Sequence, residues 1–333
     1  MISSHCGFQP LKEVWVGGCY PGSFAHALPE KHRSVFQEIS EITNQDLQNL
    51  QDVLERLGVV VQRPNFESIE LYLDEKHTLI KPPVSPRDWA LVLDDTLYII
   101  PQYPNSVTGF DSTVESYKQK GHKVTVLDRS QNDPMCYLSF PSIVRLGTDL
   151  VIDINPGTID IVQPVINKLQ EKYKIHLSDT GDHSDAIFCP VAPGHIFSTH
   201  YKTSYEQTFP GWEIFYLADT PSRRVQNGSN NQWWLPGYDY AHFNDFVFDV
   251  AKDWIGQADE TVFEVNMLIV DEKNAIVIAE DDRGCDKLES LGITPHVVNM
   301  STRAFWDGGI HCVTCDIHRE GNIINYMELV KNK

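Results

Sequence analysis

Basic residues are scarce in this chain: 27 lysines and arginines stand against 46 aspartates and glutamates, a formal charge of −19 at pH 7. Such a deficit makes nucleic acid a poor partner, because binding a polyanion depends on neutralising its phosphates. Long apolar runs are missing as well. No stretch approaches the ~18 apolar residues a membrane helix needs, and the opening MISSHCGFQP has no charged segment followed by an apolar one, so neither a spanning helix nor a leader is expected. Cysteines are few and odd in number, seven scattered over 333 residues, unlike the disulfide framework of a small secreted protein. These absences point to a reducing, cytoplasmic setting. They leave a cationic small molecule as a partner the charge would attract, although acidity that serves only solubility explains the count equally well.

What is present is the composition of a soluble protein with a large core, 41% hydrophobic and 22% charged. From about Ser34 to Leu57, apolar residues including Phe36, Ile39, Leu47, Leu50 and Leu54 fall on one helical stripe that ends at Gly58, and Val59–Val61 then reads as a strand. After it a pattern recurs: strand, turn, strand, helix, strand. The first copy runs WALVL, the turn at Asp94-Asp95, TLYII, a helix near 111–120 and KVTVL. A second runs SIVRL, the turn at 147–149, LVIDI, a helix near 159–173 and KIHL. The third begins DAIFCPV and continues HIFST, and the fourth reads VNMLIV, AIVIA, a helix near 282–291 and HVVNM. The C-terminal HCVTCDI and NIINYM read as two strands, which the N-terminal KEVWVG, helix and strand complete into a fifth unit across the termini. Units of roughly 40 to 50 residues signal a radial or stacked repeat, so the expectation is one closed domain over 1–333 rather than the open mixed sheet that coincidental spacing would give. The polar, aromatic segment 220–244 interrupts the pattern and is expected to be a substrate-entrance loop, with Trp233, Trp234, Tyr238 and Tyr240 lining it or packing over a sheet end.

The repeat gives several reactive residues a common position, the lead-in to the first strand of a unit. Asp88 precedes WALVL, His183 and Asp185 precede AIFCPV, Asn266 stands near the start of the fourth unit, and His311 and Cys312 precede VTCDI. In a ring, equivalent positions converge on the axis. Each residue alone has an ordinary explanation: an Asp before a strand is a turn residue, and a His is a satisfied structural one. Together, two carboxylates, an imidazole and a thiol suit the planar cationic carbon of a guanidinium group. Asp88 and Asp185 would accept its N–H fork, Cys312 would attack carbon, and His183 would give a proton to the leaving amine and take one from the incoming nucleophile. The covalent intermediate would be an S-amidino cysteine. Cys312 and Cys315 also form a C-x-x-C, but the run is strand-like, no second C-x-x-C is present, and His195 and His200 sit at an odd separation, so neither a redox pair nor a zinc site is expected. No local signature of a cysteine protease surrounds Cys312.

These residues carry a family resemblance. Gly308-Gly309-Ile310-His311-Cys312 resembles the glycine-glycine-x-histidine-cysteine signature of the guanidino-group-modifying enzymes, and the TCDIHREG continuation is similar to amidinotransferases. Pro86-Arg87-Asp88, His183-Ser184-Asp185, PLKEVWVG and the block 141–150 resemble further segments in order along the chain. The resemblance implies the five-bladed α/β propeller (pentein) of pseudo-fivefold ββαβ units, a guanidino donor and an amine acceptor as partners, no cofactor and no metal. One position departs from it: Leu138-Ser139-Phe140 stands where the family carries an acid that orients the histidine and binds substrate. Ser139 can only exchange hydrogen bonds there. Amidino transfer through Cys312 is therefore the leading expectation. Hydrolysis by the same intermediate, as in arginine deiminase or dihydrolase, and a binding relative impaired by Ser139 are the alternatives. Arg145 and Asn266 are candidates for contacting a substrate carboxylate or backbone, with structural roles as their alternative, and a homodimer is a candidate assembly.

Overall fold

The computed structural model describes residues 1–101, 108–154, 156–178, 183–199, 204–217, 240–255, 264–279 and 282–331. These form five three-stranded sheets. In each, a middle strand pairs antiparallel with one neighbour and parallel with the other, as in Ala90–Leu93, Thr96–Ile99 and Lys123–Val126. The antiparallel pair needs only a tight turn, whereas the parallel pair needs a crossover, which the helix Asp111–Gln119 supplies. Burial follows the same order. Ala90–Leu93 is buried throughout and reads as a continuous apolar run, while Lys123–Val126 is largely exposed at the far edge.

The second sheet contains Ile143–Leu146, Asp149–Asp153 and Lys174–Ser178, and the third Phe188–Ala192, His195–Ser198 and Glu213–Tyr216. The fourth contains Leu268–Asp271, Asn274–Val277 and Thr294–Val297. The fifth crosses the termini. Leu11–Val16 lies between Thr314–Arg319 and Val60–Gln62, bringing Val14 opposite Asp316, and the helix Glu30–Arg56 makes its crossover. NIINYM is not the strand its apolar residues suggested. Ile323 and Ile324 are exposed, and Tyr326–Lys331 is a helix that buries Tyr326 and Met327. The place beside Thr314–Arg319 is taken by Leu11–Val16, whose apolar residues are all buried.

The first nine residues strap three sheets together. Ser3 bridges His318, Ser4 bridges Asp94 and Cys6 bridges Leu146. Trp15 of the fifth sheet stacks on Phe110, beside the first, with ring centroids 4.4 Å apart and planes 10° from parallel. Gly17 shows how closely the segments meet: a Cβ there would lie 1.8 Å from the Val84 carbonyl oxygen, so only glycine lets the chain pass the segment leading to Asp88. Residues 220–239, including Trp233, Trp234 and Tyr238, lie outside the described residues. The end of that expected loop is instead helical, Tyr240–Phe246, with Phe243 buried in the core. Among the described residues no helix is long and apolar enough to cross a membrane.

Candidate active site

Short turns lead into the first strands and carry the predicted residues. Pro86–Asp88 and Phe140–Ser142 are single 3-10 turns, each with proline at its start, where the missing N–H costs nothing. Asp185 lies in a one-turn helix, Ser184–Ile187, rather than at the start of the strand, and His183 caps it. The turn Phe140–Ser142 packs on both of the others, and Thr314–Arg319 packs on Pro86–Asp88. Cys312 also sits in a turn, just before the strand begins at Thr314, three residues later than the expected start at His311. The C-x-x-C is thereby split: Cys315 is in the strand, with its Sγ 3.3 Å from the Ala90 carbonyl oxygen.

Around the thiol the geometry is close. Cys312 is 6% exposed, and its Sγ lies 3.6 Å from Oδ2 of Asp185, itself 4% exposed. His311 Nδ1 is 2.8 Å from the same oxygen, and Asn266 Nδ2 is 3.0 Å from the sulfur. Gly309 makes room for Asn266, since a Cβ there would sit 2.7 Å from Asn266 Oδ1. Asp185 Oδ1 is buried without a hydrogen-bond partner among the described residues.

Charge is divided unequally over this cluster. Burial would raise Asp185, but the hydrogen bond and charge of His311, together with the charges of His183 and Arg87, outweigh it and hold the carboxyl below its ordinary 3.8. Asp185 is thus ionised at neutral pH, and the proton between the pair resides on His311 Nδ1. Burial and then the Arg87 charge lower His311, which keeps the ring neutral. Burial pushes Asp88 up to about 6, with His183 and Lys81 opposing and Asp185 and Asp307 assisting. Burial, then Asp185 and Asp88, hold the Cys312 thiol well above its ordinary 9, against the hydrogen bond from Asn266.

A raised carboxyl also affects stability. Because Asp88 titrates higher in the fold than its ordinary 3.8, its contribution is complete below about pH 4 and is lost as the pH rises through about 6. Asp88→Asn is therefore expected to stabilise the protein at pH 8 by on the order of 1–2 kcal/mol and to have little effect at pH 4. Thermal unfolding at the two pH values checks this; equal shifts at both would contradict it.

His183 is exposed at the head of its turn, and its charge acts on both Asp88 and Asp185. Ser139 is half-buried directly before the turn that packs between those of Asp88 and Asp185, and its backbone carbonyl accepts from Ser142 N at 3.0 Å. Arg145 is 5% exposed in its strand; Nη1 donates to the Val92 carbonyl at 2.9 Å and Nη2 to Asp316 at 2.5 Å. It belongs to a buried cluster that the sequence reading missed. Asp316 also accepts from Arg87 Nη2 at 2.5 Å and Arg319 Nε at 2.7 Å, while Arg87 Nε donates to the His311 carbonyl at 2.8 Å. The arginine of the Pro-Arg-Asp segment thus reaches the backbone of the cysteine turn. A basic residue inside the otherwise apolar SIVRL was the available signal, since a charge in a buried strand needs a partner.

No family model matches the chain. Glycine amidinotransferase of Gallus gallus is 38% identical, the match covering 98% of this chain and 85% of that relative. L-arginine:L-lysine amidinotransferase of Pseudomonas savastanoi pv. phaseolicola is 24% identical over 55% of this chain, a match that spans 44% of that relative's length. Among solved structures, inosamine-phosphate amidinotransferase of Streptomyces griseus superposes with a TM-score of 0.68 at 17% identity, covering 98% of this chain and 99% of that one, which establishes the α/β fold. With a relative 38% identical along nearly its whole length, this chain belongs to the amidinotransferase branch of the guanidino-group-modifying enzymes.

Proposed function

We propose that the protein moves an amidino group from an arginine-like donor to an amine acceptor through a covalent bond to Cys312, and that its five sheets are blades of one pseudo-fivefold ring over residues 1–333. The observation that carries this reading is the meeting of a buried thiol with a carboxylate that has one oxygen free: Sγ lies 3.6 Å from Asp185 Oδ2, and Oδ1 is buried without a partner among the described residues. A buried, unpaired carboxylate oxygen calls for a donor, and the N–H groups of a guanidinium supply one with a matching charge. Asp88 is the second acceptor. The cation also offsets the two negative charges that keep the thiol protonated, so occupancy of the site favours the thiolate.

In the first half-reaction Sγ gives its proton to His183 and bonds to the guanidinium carbon, while the bond from that carbon to the substituted nitrogen breaks. His183 delivers a proton to the departing amine, so the thiol proton is balanced by the one gained on nitrogen. In the second, the acceptor amine attacks the S-amidino carbon, the carbon–sulfur bond breaks, and His183 removes the amine proton and returns it to sulfur, so that Cys312 is released as the thiol. Arg145 serves in this reading as a support of Asp316, not as a substrate contact, because both of its terminal nitrogens are engaged inside the protein. Asp88 must be ionised to accept from the donor, so kcat/KM is expected to fall as the pH drops through about 6.

Incubation with arginine, with and without glycine, lysine and other primary amines, tests the reading. Transfer gives ornithine and a new guanidino compound only when an acceptor is present. Citrulline, or ornithine with ammonia, would replace transfer by hydrolysis, and no product from any guanidino donor would leave a protein that only binds.

A further inference from the structure

Asn266 was expected, if functional, to face a substrate. Its side chain points elsewhere. It is 2% exposed at the bend before Leu268–Asp271, and all of its hydrogen-bonding capacity is used within the protein. Oδ1 accepts from His311 N at 2.9 Å and from Cys312 N at 3.1 Å. Nδ2 donates to the Asp185 carbonyl at 3.1 Å and to Cys312 Sγ at 3.0 Å. An amide has two acceptor lone pairs and two N–H donors, so the group is saturated. The same network fixes which way the amide faces. Turning it over would set an NH2 group against two backbone N–H donors and an oxygen against the Asp185 carbonyl, so the N–H must face the sulfur.

We propose that Asn266 is a catalytic residue: its amide N–H stabilises the thiolate of Cys312 as it forms for attack and again as sulfur departs from the amidino carbon. This rests on Cys312 being the nucleophile. The need for such a donor follows from the surroundings of the thiol. The acids that suit a guanidinium, Asp185 and Asp88, both disfavour a negative sulfur, and His311 turns its Nδ1 proton to Asp185. Among the described residues, Asn266 supplies the one side-chain N–H directed at Sγ. A donor already held in place by three other hydrogen bonds needs no reorganisation when charge develops, the condition under which such groups contribute most. The geometry also joins the nucleophile to its neighbour, since one amide bridges the Asp185 carbonyl and the Cys312 turn.

Asn266→Asp is the discriminating variant. It has the same shape and keeps an oxygen for the two backbone N–H groups, but it replaces the donor to sulfur by a charged acceptor. The test is the pH dependence of iodoacetamide alkylation at Cys312, followed by peptide mass spectrometry without any donor substrate, beside turnover and thermal unfolding. The expected result is an alkylation midpoint displaced upward, with at least about tenfold slower alkylation at pH 8, and turnover reduced roughly 10²–10³-fold. Asn266→Ala removes the donor without adding charge and should move the midpoint in the same direction by less. An unchanged midpoint in a folded variant, whatever happens to turnover, would overturn the assignment and leave Asn266 a structural residue. Failure of both variants to fold would do the same. Because alkylation reads the thiol alone, a displaced midpoint in a protein that transfers no amidino group would uphold the role of Asn266 toward the thiol while refuting the proposed reaction.

Discussion

Cys312→Ser is expected to lose at least about 10⁴-fold in turnover, in line with the removal of a nucleophile from other covalent enzymes, while unfolding at nearly the wild-type temperature. The substitution exchanges one atom in a closely packed turn. Serine still receives the Asn266 N–H and still reaches Asp185, so the local hydrogen bonds survive. The chemistry does not. The site already holds the thiol above its ordinary range through burial and two acids, and a hydroxyl is far harder to ionise in the same place. Steady-state turnover with arginine and an amine acceptor measures the loss. Activity within tenfold of wild type would mean that Cys312 forms no essential bond to carbon.

The second large effect is on the fold. Asp316→Asn removes the carboxylate that Arg87, Arg145 and Arg319 share, at a position buried completely from solvent. Burial would raise Asp316, but the charges of Arg319, Arg87 and Arg145 outweigh it and hold the group well below 3.8. Its stabilisation is therefore present above about pH 4 and is lost only as the pH falls through that depressed value. Breaking a buried ion pair by removing one partner costs about 3–5 kcal/mol, because the remaining charge is left uncompensated. Here three guanidinium groups are left, so the upper end is expected. That loss is a large share of the ~5–15 kcal/mol by which most domains are stable. A denaturant titration at neutral pH should show the midpoint fall with its slope unchanged, and a change below about 1 kcal/mol would contradict the role given to the cluster. Loss of function should accompany it even where the protein folds, because Arg87 Nε holds the His311 carbonyl next to the nucleophile.

Local information carried much of the fold. The alternation of short apolar runs with turns and helices marks each unit, and Asp88, Asp185 and Cys312 stand on the turns that lead into first strands because those turns are short and rich in proline, glycine or polar residues. Long-range information was the part that stayed hidden. Arg87 and Arg145 find Asp316 across 229 and 171 residues, and nothing near any of them names the partner. NIINYM misled for a related reason: its apolar residues fit a strand locally, but Leu11–Val16, from the other end of the chain, occupies that sheet position. The role of Asn266 could not be read from spacing. A lone asparagine before a strand is an ordinary turn residue until the sulfur is found 3.0 Å from its amide. The absence of an acid at Ser139 was legible, and it has a physical counterpart in a half-buried side chain beside the turns of Asp88 and Asp185.

The covalent step can be examined without waiting for the acceptor to be identified. Protein mixed with arginine alone, quenched in acid within the first turnover and digested, should yield the Cys312 peptide carrying the mass of one added amidino group; the adduct should vanish when a competent amine is supplied before the quench. Products forming with that peptide unmodified at every quench time, or the added mass residing on another residue, would contradict the account.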